Sequence, residues 1–188
     1  IITQDKIMYN QRNWRDILSE KPKDMTRVDY EVTLPKPDED YMTTYRINRA
    51  KRNLRRFNDV YRNSKTEVYD ERHIDDPATQ MHHIFPANEY PQIADYLENL
   101  IALTPTQHFT YAHPNNNTQY IDRAYQYLCL IAKTGSIRDN LIGHMNEPVI
   151  YDFYLYQNVL NTGLETDEFF EVHEMDIDGF LNKIEKYY

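Results

Sequence analysis

Thr104-Pro105-Thr106-Gln107 fixes more local structure than any other four residues of this chain. Thr104 can cap a helix through its hydroxyl, and Pro105 suits the first helical position, where its missing N–H leaves nothing unsatisfied. Gln107 stands three residues after the cap, where its side chain can return the bond. A helix therefore begins here, with His108 on its first turn. Just upstream, Asn99-Leu100-Ile101-Ala102-Leu103 is a short apolar run ended by that cap, which predicts a strand. Met81-His82-His83-Ile84-Phe85 predicts another, closed by Pro86, which has no N–H to donate. Strand, polar loop, strand and helix in this order bring His82, His83, Asn99 and His108 together. Side chains alternate along a strand, so the two adjacent histidines point to opposite faces; both reach one centre only where the strand bends or ends.

His82-His83, then Asn99-Leu100-x-x-Leu103, then His108 nine residues after Asn99 resemble the HNH, or ββα-metal, nuclease motif. The resemblance covers residues 80–113. It implies that His83 is the general base that activates water, that His82 and His108 ligate one divalent ion, and that Asn99 fixes the loop orienting His83. The residue types suit that chemistry: an imidazole of unperturbed pKa ~6.5 can accept a proton at neutral pH, and an ion can polarise a phosphate and offset charge on its leaving oxygen. Magnesium or manganese is the expected ion, and two imidazoles would also accept zinc or nickel. Two departures stand out. Where many members carry a Cys-x-x-Cys pair for a structural zinc, this chain has Thr104 and Gln107, so no zinc knuckle is expected. Some members add a histidine four residues after the helical one; here that place is Ala112. His113 falls one residue later, and five residues along an α-helix turn it off the face of His108. It is therefore only an auxiliary ligand candidate.

The remaining chain is read around this motif. Residues 1–40 form an N-terminal segment, with a short helix expected around residues 13–18, a strand over 28–34 and a loop at 35–40. Residues 41–79 are a basic DNA-binding helix and its lead-in: residues 41–65 hold eight lysines and arginines against one acid, Asp59. Arg49, Arg52 and Arg56 recur at helical spacing between apolar positions, offering phosphates a row of charge-assisted contacts. In the lead-in, Arg72 and His73 are candidates to reach a scissile phosphate and Asp75 or Asp76 to be an auxiliary ligand, the alternative being a plain charged turn. Residues 114–188 are a helical C-terminal region, with helices expected over 119–134 closed by Gly135, over 148–160, and from Gly179 onward. Cys129 falls on the apolar stripe of the first and reads as core. The last fifty residues hold eleven acids and two lysines, a charge equal to the net −9 of the whole chain. Such an acidic tail would face away from DNA.

One cysteine excludes an internal disulfide framework and fits a reducing compartment. No apolar run approaches membrane-spanning length and no secretory leader is visible, so a cytoplasmic protein with no membrane partner is expected. Seventeen tyrosines against four glycines suit packed helices and equally suit stacking on bases. The fold class expected is α+β, helix-rich, with the ββα-metal motif embedded among helices. The function expected is a metal-dependent endonuclease for double-stranded DNA, of bacterial restriction or defence type. A homodimer is the natural arrangement if its sites are palindromic. The alternatives are a nonspecific nuclease of the same family, a non-catalytic DNA-binding module, and a protein-interaction domain acting through the acidic tail.

Overall fold

The computed structural model describes residues 22–26, 39–73, 75–117, 120–143 and 146–188. The helix expected over residues 13–18 and the strand expected over 28–34 lie outside them. The backbone divides into a unit ending at Tyr41 and a second unit from Met42 to Tyr188. Of the first, residues 22–26 form a turn in which the Met25 N–H donates to the Pro22 carbonyl.

The basic segment forms helix α1, Glu39–Tyr61. Its buried stripe is Ala50, Leu54 and Phe57, at the spacing an amphipathic helix requires. Strands β1, Gln80–His83, and β2, Leu100–Leu103, pair antiparallel with His82 opposite Ile101 and His83 opposite Leu100. All four residues of β2 are buried, so its outer edge has to be satisfied by protein. The Glu67 N–H donates to the Ala102 carbonyl at 3.0 Å, and the Ala102 N–H donates to Glu67 Oε1 at 2.9 Å.

Three further helices complete the described fold: α2, Arg123–Leu141, α3, Phe153–Gly163, and α4, Ile177–Glu185, each N-capped by the aspartate before it. Two boundaries differ most from those expected. Gly135 does not close α2; the helix runs on to Leu141 because Ile137 and Asn140 continue its buried face. Gly143, at φ 70°, makes the left-handed turn instead, and its N–H donates to the Asn140 carbonyl. Helix α3 starts at Phe153 instead of 148 because Asn140 holds the preceding residues extended. Its Oδ1 accepts from the N–H groups of Ile150 and Tyr151, while its Nδ2 donates to the Pro148 carbonyl. At Gly163 a Cβ would lie 2.3 Å from the Phe85 ring, so only glycine lets α3 pack against the end of the hairpin.

The core joins the hairpin to α2, α3 and α4, with Phe153, Tyr156, Phe169 and Phe180 clustered at its far side. Cys129 is fully buried within it, as its stripe position implied, and burial pushes its thiol well above the usual range. Two cations are also drawn in. Lys133 Nζ lies 3.2 Å from Glu67 Oε2 and 2.8 Å from the Tyr151 hydroxyl. Arg62 grips Glu147 through two nitrogens, at 3.0 and 2.6 Å, and Glu147 also accepts from Asn140. Glu67 thus supports β2 and neutralises Lys133 at once. The result is the helix-rich α+β class expected, with one two-stranded sheet among the described residues. None of the described helices is long and apolar enough to cross a membrane.

Candidate metal centre

The hairpin and the segment after it position the site. Thr104 and Gln107 form the reciprocal cap: the Gln107 N–H donates to Thr104 Oγ1 at 3.2 Å and the Thr104 N–H donates to Gln107 Oε1 at 3.0 Å. Gln107 Nε2 then donates to the Val68 carbonyl, tying the new helix to the segment that covers β2. The first bond of that helix is of α type, from the His108 N–H to the Thr104 carbonyl. From Gln107 to Ala112 the turn widens to a π-helix, closed by the His113 N–H on the His108 carbonyl at 3.2 Å. Pro114 follows and excludes helical backbone at His113, so the helix ends there.

The wider turn corrects the sequence reading of His113. Five residues overshoot a turn in an α-helix, but they span about one turn in a π-helix. His113 therefore returns to the side of His108. With His82, projecting inward from β1, the two form a triad whose candidate ligand nitrogens all lie within 4.8 Å of one another. The ring centroids are 5.2 Å apart for His82 and His108, 5.0 Å for His82 and His113, and 4.9 Å for His108 and His113. The rings stand nearly perpendicular to one another, at 76 to 78°.

The chemistry of the triad fits a cation. His113 Nδ1 lies 2.7 Å from the Tyr120 carbonyl oxygen; that oxygen can only accept, so Nδ1 is the donor and Nε2 is the ring nitrogen left for a cation. His108 Nδ1 is shielded from solvent and has no hydrogen-bond partner. Burial, and then the neighbouring His113 and Lys51, hold His108 down to about 4; burial, followed by the other histidines and Lys51, holds His82 well below the usual imidazole range. Both are neutral at physiological pH, the form that binds metal. Among the described residues this is the one cluster of histidine, cysteine and acidic side chains able to hold an ion.

His83 is close by. Strand β1 ends at this residue, and both adjacent histidines line one pocket of about 240 Å³. His83 Nε2 lies 2.9 Å from the Ala94 carbonyl oxygen, so Nε2 is the protonated nitrogen and Nδ1 the free one. Burial first, and Lys51 second, bring His83 down to about 4, against the opposing pull of the Ala94 bond. Asn99 is fully buried and braces the loop that carries Ala94. Its Oδ1 accepts from the Phe85 N–H at 2.9 Å, while its Nδ2 donates to the carbonyls of Phe85 at 3.0 Å and Ile93 at 3.3 Å.

No family model, curated protein or solved structure matches this chain. The chemistry of the site has to be read from its own geometry.

The basic residues separate into three groups. Arg49, Arg52 and Arg56 are exposed on α1. Arg52 and Arg56, with Lys51 and Met81, line a groove of about 620 Å³ that shares Lys51 and Met81 with the histidine pocket. Arg62, from the same basic stretch, is spent on Glu147. Arg72 is not brought to the histidines. It clasps Asp70 through two nitrogens and lies 5.3 Å over the Tyr111 ring, lining a different groove that shares no residue with the histidine pocket. Asp76 is likewise engaged, 2.8 Å from His73 Nδ1. Sequence reasoning gave Lys51 no role of its own, yet it lines the histidine pocket. The available signal was its place beside Ala50 and one turn before Leu54, on the rim of the buried stripe of α1.

Proposed function

We propose that this chain is a metal-dependent endonuclease of the ββα-metal kind, hydrolysing phosphodiester bonds in double-stranded DNA. The observation that carries the reading is the convergence of His82, His108 and His113 within 4.8 Å beside a fourth histidine of defined tautomer. His82, His108 and His113 would hold one ion, which when bound would polarise the phosphate and neutralise charge on the leaving oxygen. His83 keeps its Nε2 proton against the Ala94 carbonyl, so Nδ1 is the atom that accepts a proton from the attacking water. Asn99 positions that base indirectly, by holding Ile93 next to Ala94. Exposed Arg49, Arg52 and Arg56 would track the DNA backbone along α1.

The third imidazole changes which ion suits the site. Magnesium or manganese was expected for a two-histidine set. Three imidazoles with no carboxylate lining the pocket favour zinc, nickel or cobalt, because magnesium prefers oxygen ligands. A restriction or other defence role suits a chain whose positive charge is concentrated near residues 46–65 and whose last fifty residues are acidic.

The test is incubation of plasmid DNA with the protein in magnesium, manganese, zinc and cobalt, with and without chelator, beside His83→Ala. The expected outcome is metal-dependent cutting that the variant lacks. Retardation of the plasmid on a native gel without cutting under any ion would refute catalysis and leave a DNA-binding module.

A further inference from the structure

The histidine pocket contains a charge that its own residues leave unanswered. Lys51 enters it from α1 and is partly buried. The other partly or fully buried cations among the described residues each have a carboxylate: Arg55 has Asp59 at 2.8 Å, Arg62 has Glu147 at 2.6 Å, Lys133 has Glu67 at 3.2 Å and Lys183 has Glu171 at 3.7 Å. Lys51 is in no ion pair among the described residues and no acid lines the histidine pocket; Asp59, which lines the adjoining groove, is held by Arg55. An ion on the three histidines would add two further positive charges there. Partly buried charge of one sign is unfavourable unless a counter-charge arrives. The counter-charge must therefore come with a ligand. The groove of Arg52 and Arg56 adjoins the pocket, sharing Lys51 and Met81 with it, so the anion that fits is one link of a polyanion, not an isolated ion.

We infer that Lys51 is the anion-binding residue of this pocket, donating to a non-bridging oxygen of a phosphodiester held between its ammonium and the three histidines. The inference rests on the metal reading proposed above and names its ligand. A lysine ammonium suits the task, being a compact charge with three donors.

Lys51 makes opposite contributions to two equilibria: it repels the metal and attracts the anion. Cobalt(II) is titrated into wild type, Lys51→Met and Lys51→Arg while its visible absorption is followed, and dimethyl phosphate is then titrated into each loaded protein. Lys51→Met is expected to bind cobalt more tightly and dimethyl phosphate roughly ten- to a hundredfold more weakly, the worth of one charge-assisted hydrogen bond. Lys51→Arg is expected to restore diester binding. Tighter cobalt binding also shows that Lys51→Met is folded. The inference is overturned by equal diester affinity in wild type and Lys51→Met, by no diester response in the loaded wild type, or by a response to inorganic phosphate alone. Plasmid cleavage separates the two readings. Cutting with a Lys51-independent diester affinity removes Lys51 and keeps the nuclease; Lys51-dependent diester binding without cutting keeps Lys51 and removes the nuclease.

Discussion

Lys133 and Lys51 are both drawn away from water, but only one of them is satisfied. Around Lys133 the donors and acceptors close on themselves: Glu67 and the Tyr151 hydroxyl meet its ammonium, and Arg62, Glu147 and Asn140 complete an adjoining cluster. Around Lys51 the protein stops short. The ammonium has no carboxylate, His108 Nδ1 has no partner, and three imidazoles converge on one another. A buried network that is complete holds a fold together, whereas an incomplete one is costly unless something else completes it. The difference separates the part of this molecule that maintains the hairpin from the part that would use it.

The largest effect expected belongs to the incomplete region. His83→Ala should lower metal-dependent cleavage by about 10²- to 10⁴-fold, the usual worth of a general base, with cobalt affinity and urea midpoint near wild type. A variant that loses metal and stability along with activity would make His83 part of the scaffold. The complete region should respond in the opposite sense. Glu67→Ala removes the counter-charge of Lys133 and the acceptor of the Ala102 N–H, so urea denaturation should show a loss of roughly 3–5 kcal/mol. Pairing Glu67→Gln with Lys133→Met should recover much of that loss, because no buried charge is then left alone. If Glu67→Ala unfolds no more readily than wild type, the contrast between the two regions fails.

Asn99 joins the two regions and should show a mixed response. Asn99→Ala leaves the Phe85 N–H and the Phe85 and Ile93 carbonyls without their partner. A cost of about 1–3 kcal/mol is expected, with cleavage falling further than cobalt affinity because the loop that orients His83 loosens. Smaller again, and confined to binding, is the effect of replacing Arg49, Arg52 and Arg56 together by alanine. The slope of log affinity for duplex DNA against log salt should flatten by about 2.7, at ~0.9 per phosphate contact, whereas Arg72→Ala should leave it unchanged. The smallest effect concerns Cys129. Its thiol is fully buried and its pKa raised, so thiol reagents at pH 8 should label the native protein only at the rate of opening and the urea-unfolded protein at once.

What could be foreseen from sequence follows from how local each signal is. The cap at Thr104 and Gln107, the short strands beside it, the amphipathic α1 and the stripe holding Cys129 all depend on neighbours within a few residues, and all are present in the fold. His113 was misplaced because its position depends on whether one turn holds four residues or five, a choice fixed by Pro114 and by the Ala112 carbonyl accepting the Asp122 N–H from beyond the loop. Gly135 reads as a helix end until Ile137 and Asn140 are known to be buried. Arg72 was left between a phosphate contact and a plain charged turn because charge patterns do not show which acid will pair with it, and Asp70 does. Lys51 was one charge among eight in its stretch. Only the packing of α1 beside the hairpin turns it from solvent toward the histidines.

The measurement that bears most directly on the centre is X-ray absorption at the zinc edge, on protein loaded with one equivalent of zinc and on its His113→Ala variant. Three imidazole nitrogens around zinc in the wild type, falling to two in the variant, are the result predicted. A shell of oxygens alone, or a spectrum that His113→Ala leaves unchanged, would contradict it.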